Sequence, residues 1–194
     1  MKTVFAFVFA LLMGATAPIA QAQEVEFNSA DLARHIAMNQ VGSFNLINWK
    51  VGDTASYNVT AMFGFVKGTL VKSVASEEGN AIWLKQDMNL AGQKQLIEML
   101  MDRADGKILK LKQNGQDTQI PDDKPEIISQ DYAEIKVPAG TFKCVHIVAK
   151  SKSASKIELW ANPAETVMEG SIKQIAASTM GDVTMEMTSF KKVN

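Results

Sequence analysis

The chain is poor in the residues that most often serve redox, metal-dependent or acid–base chemistry. Its 194 residues include one cysteine and two histidines. One cysteine permits no intrachain disulfide and no site built from several cysteines. The histidines, His35 and His146, lie far apart in the sequence and match no metal-ligand spacing. We therefore expect no bound metal and no cofactor.

Neither sign of charge is in excess. The chain has 20 lysines and arginines and 21 aspartates and glutamates, which gives a formal net charge of −1. A nucleic-acid-binding protein would show a basic excess, so no nucleic acid partner is expected. The sequence also lacks a Gly-x-Ser-x-Gly elbow, a glycine-rich phosphate loop and a dinucleotide fingerprint. These absences favour a protein that is not an enzyme and has no catalytic residues.

The longest hydrophobic run lies at the start of the chain. Lys2 precedes the apolar run Val4–Met13, and Ala20-Gln21-Ala22 offers a small-x-small cleavage site. The pattern predicts a secretory signal peptide over residues 1–22. A membrane-spanning helix needs about 20 consecutive apolar residues, so we expect no stable membrane insertion. Because no cysteine is near the cleavage site for lipid attachment, residues 23–194 are expected to form a single periplasmic or secreted domain.

One amphipathic helix is predicted after the cleavage site. It spans about Ala30 to Val41, can be capped by Asn28 or Ser29 and has apolar residues at helical spacing. Leu32, His35 and Ile36 share its apolar face, and we consider them candidates for a lid over a binding cavity. For His35, a position at a seam between helix and sheet is the alternative.

From Trp49 onward the sequence has the texture of β-structure. Short runs of β-forming residues are separated by turn sequences such as Asp105-Gly106, Asn114-Gly115 and Pro138-Ala139-Gly140. Turns this closely spaced predict an antiparallel meander. We predict a mainly β (α+β) fold, with a single curved antiparallel sheet or open half-barrel of about nine strands and an N-terminal helix.

The segment Gln93–Ala104 gives conflicting signals. It consists of good helix formers, and Leu96, Ile97, Leu100 and Met101 fall on one helical face. However, it lies between two hairpin turns of the predicted meander. Because tertiary context often overrides intrinsic propensity, we predict a strand here.

Methionines and aromatic residues are numerous on the predicted strands. Methionine is flexible and polarisable, so it suits surfaces that accommodate varied apolar shapes. We predict that ten of these side chains line an apolar ligand cavity: Phe63, Phe65, Trp83, Met99, Met101, Phe142, Trp160, Met168, Met185 and Met187. An ordinary core in which methionine fills gaps is the alternative.

Cys144 and His146 are the first pair to test for nucleophilic catalysis. They share one face of a predicted strand, but residues two apart on a strand are separated by about 7 Å. That separation exceeds hydrogen-bond reach, and the sequence shows no third residue that would orient the imidazole. We predict a packed thiol and a structural or surface histidine.

Two short motifs carry a resemblance to a known superfamily. The chain reads Val137-Pro138-Ala139-Gly140-Thr141-Phe142-Lys143-Cys144, followed after a short strand by Trp160-Ala161-Asn162-Pro163. A Pro-x-Gly-x-Phe-x-Cys hairpin with a later Trp-x-Asn-Pro element resembles exported bacterial proteins related to the LolA/LolB lipoprotein-carrier superfamily, in particular their uncharacterised periplasmic relatives. The resemblance implies an unclosed antiparallel barrel draped over helices, with an apolar cavity for acyl chains.

Two functions are compatible with these observations. The first is a non-catalytic periplasmic carrier or binding protein for a lipid, an acylated protein or another amphiphile, which predicts an apolar cavity of several hundred cubic ångströms. The second is a structural or interaction module of the envelope that binds a protein partner and has no ligand cavity. That module would instead show an exposed apolar patch.

Overall fold

The structure is a computed structural model that describes residues 49–120, 125–152, 154–178 and 181–193. The predicted signal peptide and the predicted helix Ala30 to Val41, with its lid candidates Leu32, His35 and Ile36, lie outside the described residues. Within these ranges the only helical element is a three-residue 3-10 turn, Met62–Gly64. No helix in the described residues is long and apolar enough to cross a membrane.

The described residues form eleven strands in one antiparallel sheet. The strands are β1 Thr54–Ala61, β2 Val66–Glu78, β3 Ala81–Leu90, β4 Gln93–Asp102, β5 Ile108–Gln113, β6 Gln116–Asp117, β7 Glu126–Val137, β8 Gly140–Lys150, β9 Ile157–Ala161, β10 Ser171–Ala176 and β11 Val183–Lys191. The sequence predicts about nine strands, and this number is wrong. One reason is β6, whose two residues are too few to show an alternating pattern.

The strand order is that of two meanders joined at the centre. The sheet runs β6-β5-β4-β3-β2-β1-β11-β10-β9-β8-β7, so the first and last strands are neighbours in its middle. Glycines with positive φ occupy several of the hairpin turns, including Gly79 and Gly115. The predicted antiparallel meander is therefore confirmed, and the sheet is open, with β6 and β7 at its edges.

The ambiguous segment is strand β4, as predicted. It pairs with β3 along its whole length, from Ala81 opposite Asp102 to Leu90 opposite Gln93. Its buried side chains alternate along the chain from Gln95 to Met99, and Leu100 and Met101 are then both buried. Cross-strand pairing on two sides thus outweighs the helical propensity of its residues.

The length of one connection requires the sheet to curl. Only nine residue steps separate the end of β6 at Asp117 from the start of β7 at Glu126. Nine steps span at most about 32 Å. Eleven strands laid flat would hold the two edges about 48 Å apart. The edges must therefore approach each other, which confirms a curved, unclosed sheet.

One face of strands β1 to β5 and β11 carries the main core, and we call it the inner face. On β1, Ala55, Tyr57, Val59 and Ala61 are buried while their neighbours are more exposed. The strand registers continue this face with Leu70, Lys72, Val74, Ile82, Leu84, Gln86, Met88, Leu90, Gln95, Ile97, Met99, Met101, Leu111, Gln113, Val183, Met185 and Met187. A second, smaller apolar cluster lies on β8 and β9.

The tip of the β7–β8 hairpin crosses one end of the inner face. The backbone amide of Ala139 in this tip donates to the carbonyl of Met187 on β11, at 3.0 Å. The rings of Phe142 and Phe190 lie 6.4 Å apart at the same place. Strands β9 and β10 separate β8 from β11 in the sheet, so these contacts show directly that the sheet curls at this end.

Candidate functional site

An ion pair lies inside the apolar core of the inner face. Lys72 of β2 bonds to Glu169, which belongs to the β9–β10 loop, residues 162–170. The exposed fractions of the two side chains are 5% and 10%. The ammonium also lies 5.4 Å from the centre of the Tyr57 ring. A buried pair of this kind is costly to desolvate and must be retained by close partners.

Tyr57 binds the start of β10, directly after the same loop. Its hydroxyl donates to the backbone carbonyl of Ser171 at 2.9 Å. Burial, and then the charge of Glu169, raise the pKa of Tyr57 well above its ordinary value. The phenol is therefore a neutral donor at all physiological pH values, and it holds the end of the loop where β10 begins.

The β9–β10 loop is held by its own turn residues. Asn162 accepts hydrogen bonds from the amides of Ala164 and Glu165 through its Oδ1, and its Nδ2 donates to the carbonyl of Lys143. The asparagine of the Trp-x-Asn-Pro motif thus caps this loop and ties it to β8. The arrangement holds Glu169 next to Lys72 and buries Met168 in the core.

Two glutamines also point into the inner face. Gln95 of β4 is 5% exposed, and its amide nitrogen and that of Gln113 on β5 are buried without a hydrogen-bond partner in the described part of the chain. Gln113 lies opposite Ile97, so the two amides are diagonal neighbours on one face. Diagonal neighbours are about 7–8 Å apart at the backbone, within reach of long side chains.

Six of the ten predicted ligand-contacting residues belong to one buried cluster. They are Met99, Met101, Phe142, Met168, Met185 and Met187, with exposed fractions between 0% and 9%. Four of them, the methionines at 99, 101, 185 and 187, lie on the inner face. The structure therefore brings these side chains together, whereas their contact with a ligand stays a prediction.

Phe63 and Phe65 lie elsewhere, at the tip of the β1–β2 hairpin. They are 81% and 88% exposed. Met62, Phe63 and Gly64 all have positive φ, and such a run is strained for the two residues that are not glycine. Both phenyl rings are therefore exposed at a hairpin tip of unusual backbone conformation.

The predicted tryptophans lie outside the inner face and contact polar groups. The indole nitrogen of Trp83 donates to Glu78 at 2.9 Å, and Lys112 lies over its ring. Trp160 stacks on the imidazole of His146, with ring centres 4.4 Å apart and an angle of 13° between the planes. Both rings thus have partners within the fold.

Cys144 and His146 do not form a catalytic pair in this structure. The Cys144 thiol is buried, and its sulfur lies 3.7 Å from the carbonyl oxygen of Phe142. Burial, and then the charge of Glu165, raise the pKa of Cys144 to about 11. The imidazole of His146 lies between two carboxylates, 3.1 Å from Asp131 and 3.3 Å from Glu158.

An open groove of about 480 Å³ lies beside the edge strand. Residues of β7, β8 and the end of β9 line it, among them Tyr132, Glu134, Lys143 and Val145. Tyr132 is 86% exposed at its rim. None of the ten predicted ligand-contacting residues lines this groove.

The sequence interpretation missed Lys72, Gln95 and Gln113. A detectable signal was present, because Lys72 stands two residues from both Leu70 and Val74 on a strand. Gln95 likewise precedes Ile97, Met99 and Met101 at alternate positions. Side chains at alternate positions share a face, so the pattern already places Lys72 and Gln95 among apolar side chains.

Comparison with known proteins gives structural similarity alone. No protein-family profile and no curated protein matches the sequence. The fold is similar to a crystal structure from Bacteroides fragilis, described as an exported protein with a YmcC-like fold, at a TM-score of 0.47 and 12% identity over 74% of this chain and 97% of the other. It is also similar to a protein from Parabacteroides distasonis described as a lipoprotein, at a TM-score of 0.40 and 11% identity over 74% and 96%. Neither description names the LolA/LolB superfamily.

Proposed function

We propose that this protein binds an amphiphile, such as a lipid or an acylated protein, on the inner face of its curved sheet and carries it without catalysing a reaction. One observation carries the proposal. The inner face is a largely apolar surface across β1 to β5 and β11, interrupted by Lys72 and three glutamines, and most of its methionine and aliphatic side chains are buried. An acyl chain that enters between these flexible apolar side chains would extend the same packing.

The composition of the inner face supports a ligand of variable shape. Met88, Met99, Met101, Met185 and Met187 lie on it. Methionine side chains change conformation easily and make favourable dispersion contacts with many apolar shapes. Surfaces rich in methionine therefore accommodate chains of different length or unsaturation.

The exposed hairpin tip supports exchange of such a ligand with a lipid surface. Phe63 and Phe65 expose two phenyl rings, and Lys67 follows them on β2. Aromatic rings beside a basic residue favour the interface between lipid head groups and acyl chains. The tip would then contact the source of the ligand, and the inner face would hold it. The predicted signal peptide fits a periplasmic or secreted site for this role.

The first test of the proposal is to look for a bound ligand. The mature protein is purified from the periplasm without detergent, analysed by native mass spectrometry, and extracted with organic solvent. We expect a stoichiometric adduct of lipid size and uptake of an added fluorescent fatty acid. A bare mass, together with no uptake of the fluorescent fatty acid, would contradict the proposal.

The second test concerns the hairpin tip. We expect the variant Phe63→Ser/Phe65→Ser to take up the fluorescent fatty acid from vesicles more slowly, while uptake from solution is unchanged. Val71→Ser is the matched control, because Val71 is also exposed, at 40%, but lies on β2 away from the tip. Equal slowing by the control variant would show that the tip has no special role.

The groove favours a second candidate function, an interaction module for a protein partner of the envelope. Strand β7 is a long edge strand, and its exposed Tyr132 borders the groove. An unpaired strand edge can accept an extended peptide as a further strand. A photo-crosslinking residue at position 132 that captures one discrete protein, when the same residue at position 71 captures none, would support this function.

A further inference from the structure

The amides of Gln95 and Gln113 are an unusual pair for an apolar surface. Both Nε2 atoms are buried, and neither has an acceptor within the described residues. A buried donor that lacks an acceptor costs free energy, and native proteins contain few of them. Two such donors on adjacent strands, facing the same side, indicate a feature with a function rather than a packing accident.

The surroundings of the pair determine which acceptor it would suit. Gln95 lies opposite Met88 on β3, and Gln113 lies opposite Ile97 on β4. The buried ammonium of the inner face belongs to Lys72, and it is already bonded to Glu169. Gln86 also lies on this face, opposite Ile97. The two amides therefore offer neutral N–H donors in a largely apolar environment that has, within the described residues, one further amide and no free charge.

A neutral donor pair favours a neutral acceptor. An ionised carboxylate buried here would lose its hydration and gain no free counter-charge, which is strongly unfavourable. A carbonyl oxygen has two lone pairs and can accept one hydrogen bond from each amide. Alkyl chains on either side of that carbonyl would contact the neighbouring methionine and aliphatic side chains.

We propose that Gln95 and Gln113 together bind the carbonyl oxygen of an acyl ester, and so select esterified acyl chains over free fatty acids and plain hydrocarbons. This inference rests on the proposed function, because it places the ester end of the amphiphile at the β4–β5 side of the inner face. It adds the chemical class of the ligand and the two residues that recognise it.

The inference is tested with three probes of equal chain length, methyl palmitate, palmitate and hexadecane, in competition with a fluorescent acyl ester. Wild-type protein is expected to bind methyl palmitate more tightly than either other probe. The variant Gln95→Met/Gln113→Met is expected to lose about tenfold or more in affinity for methyl palmitate, since each lost hydrogen bond weakens binding several-fold. Its affinity for hexadecane is expected to stay the same.

A stability measurement on the ligand-free protein separates this inference from a structural role. Replacing the unpaired donors by an apolar side chain of similar length should leave the free energy of unfolding unchanged or raise it. Gln174→Met is the matched control. Gln174 on β10 is also buried, with an exposed fraction of 6%, but its side chain is not among those with an unpartnered buried atom. The single variants Gln95→Met and Gln113→Met provide the same readout if the double variant does not fold.

Each remaining outcome overturns a defined part of the argument. If methyl palmitate binds the double variant as well as it binds wild type, or if the ligand-free variants are destabilised, the carbonyl site is wrong. If wild type binds all three probes equally, the ester selectivity is wrong but amphiphile binding stands. If wild type binds none of them, both the site and the proposed function are wrong.

Discussion

Lys72 and Glu169 join the centre of the sheet to the β9–β10 loop through an ion pair buried in apolar surroundings. Removing one partner would leave the other charge buried and unpaired. We expect Lys72→Met to lower the free energy of unfolding by about 3–5 kcal/mol, measured by urea denaturation.

The double variant Lys72→Met/Glu169→Leu distinguishes the pair from its surroundings. Since it removes both charges, most of the stability should return. Lys85→Met is the control on the surface, because the Lys85–Glu98 pair is 45% and 21% exposed and should contribute at most about 1 kcal/mol. If Lys72→Met were as stable as Lys85→Met, the buried ion pair would not be required for the stability of the fold.

Gly170 permits the sharp end of the same loop. Its φ is +71°, and a Cβ there would lie 2.2 Å from the backbone nitrogen of Pro163. We expect Gly170→Ala to lower the free energy of unfolding by about 3 kcal/mol, since strain and a backbone clash add together. Gly64→Ala is the matched comparison, because Gly64 has φ +88° and open space around it. It should lose only about 1–2 kcal/mol. If urea denaturation showed the same loss of unfolding free energy for both variants, a steric clash at position 170 would be contradicted.

The local pattern of the sequence was sufficient for most of the fold. Alternating apolar residues and turn dipeptides predict the meander. The two flanking hairpin turns predict strand β4 in spite of the helical propensity of its residues. They could not predict the partnership of Lys72 with Glu169, because those residues are 97 positions apart and no local pattern connects them. The pairing of β1 with β11 across the centre of the sheet escaped sequence reasoning for the same reason.

The candidate site was predictable in part. The methionines of β4 and β11 were identified from their residue type and their positions on predicted strands. Phe63 and Phe65 were grouped with them because alternation alone gives no warning of positive φ at Met62 and Phe63. Gln95 and Gln113 are not among the predicted residues, because residue type alone favours apolar side chains for an apolar cavity.

The Cys144 thiol borders the groove, yet it should be unreactive in the folded protein. It is 2% exposed, and burial raises its pKa to about 11. At pH 8 about one thiol in a thousand would then be ionised, and the thiolate is the reactive form. We expect no reaction with a chromogenic disulfide reagent in native buffer and one equivalent of reaction in urea, with Cys144→Ser as the blank. Rapid labelling of the native protein would contradict this burial.

Glu158 on β9 links stability to acid pH. A hydrogen bond from Lys156, together with weaker effects of His146, holds the pKa of this carboxyl below its ordinary value of 4.5. A carboxyl whose pKa is lower in the folded state stabilises the fold above its unfolded pKa and loses that contribution as pH falls through the folded value.

We expect wild type to be more stable than Lys156→Met at pH 6 to 7, and the two urea-denaturation curves to converge as the pH falls below about 4.5. Lys150→Met removes the exposed Lys150–Glu126 pair and controls for the loss of one positive charge. If the difference between wild type and Lys156→Met persisted unchanged down to pH 2, it would come from packing of the lysine side chain rather than from the ionised carboxylate.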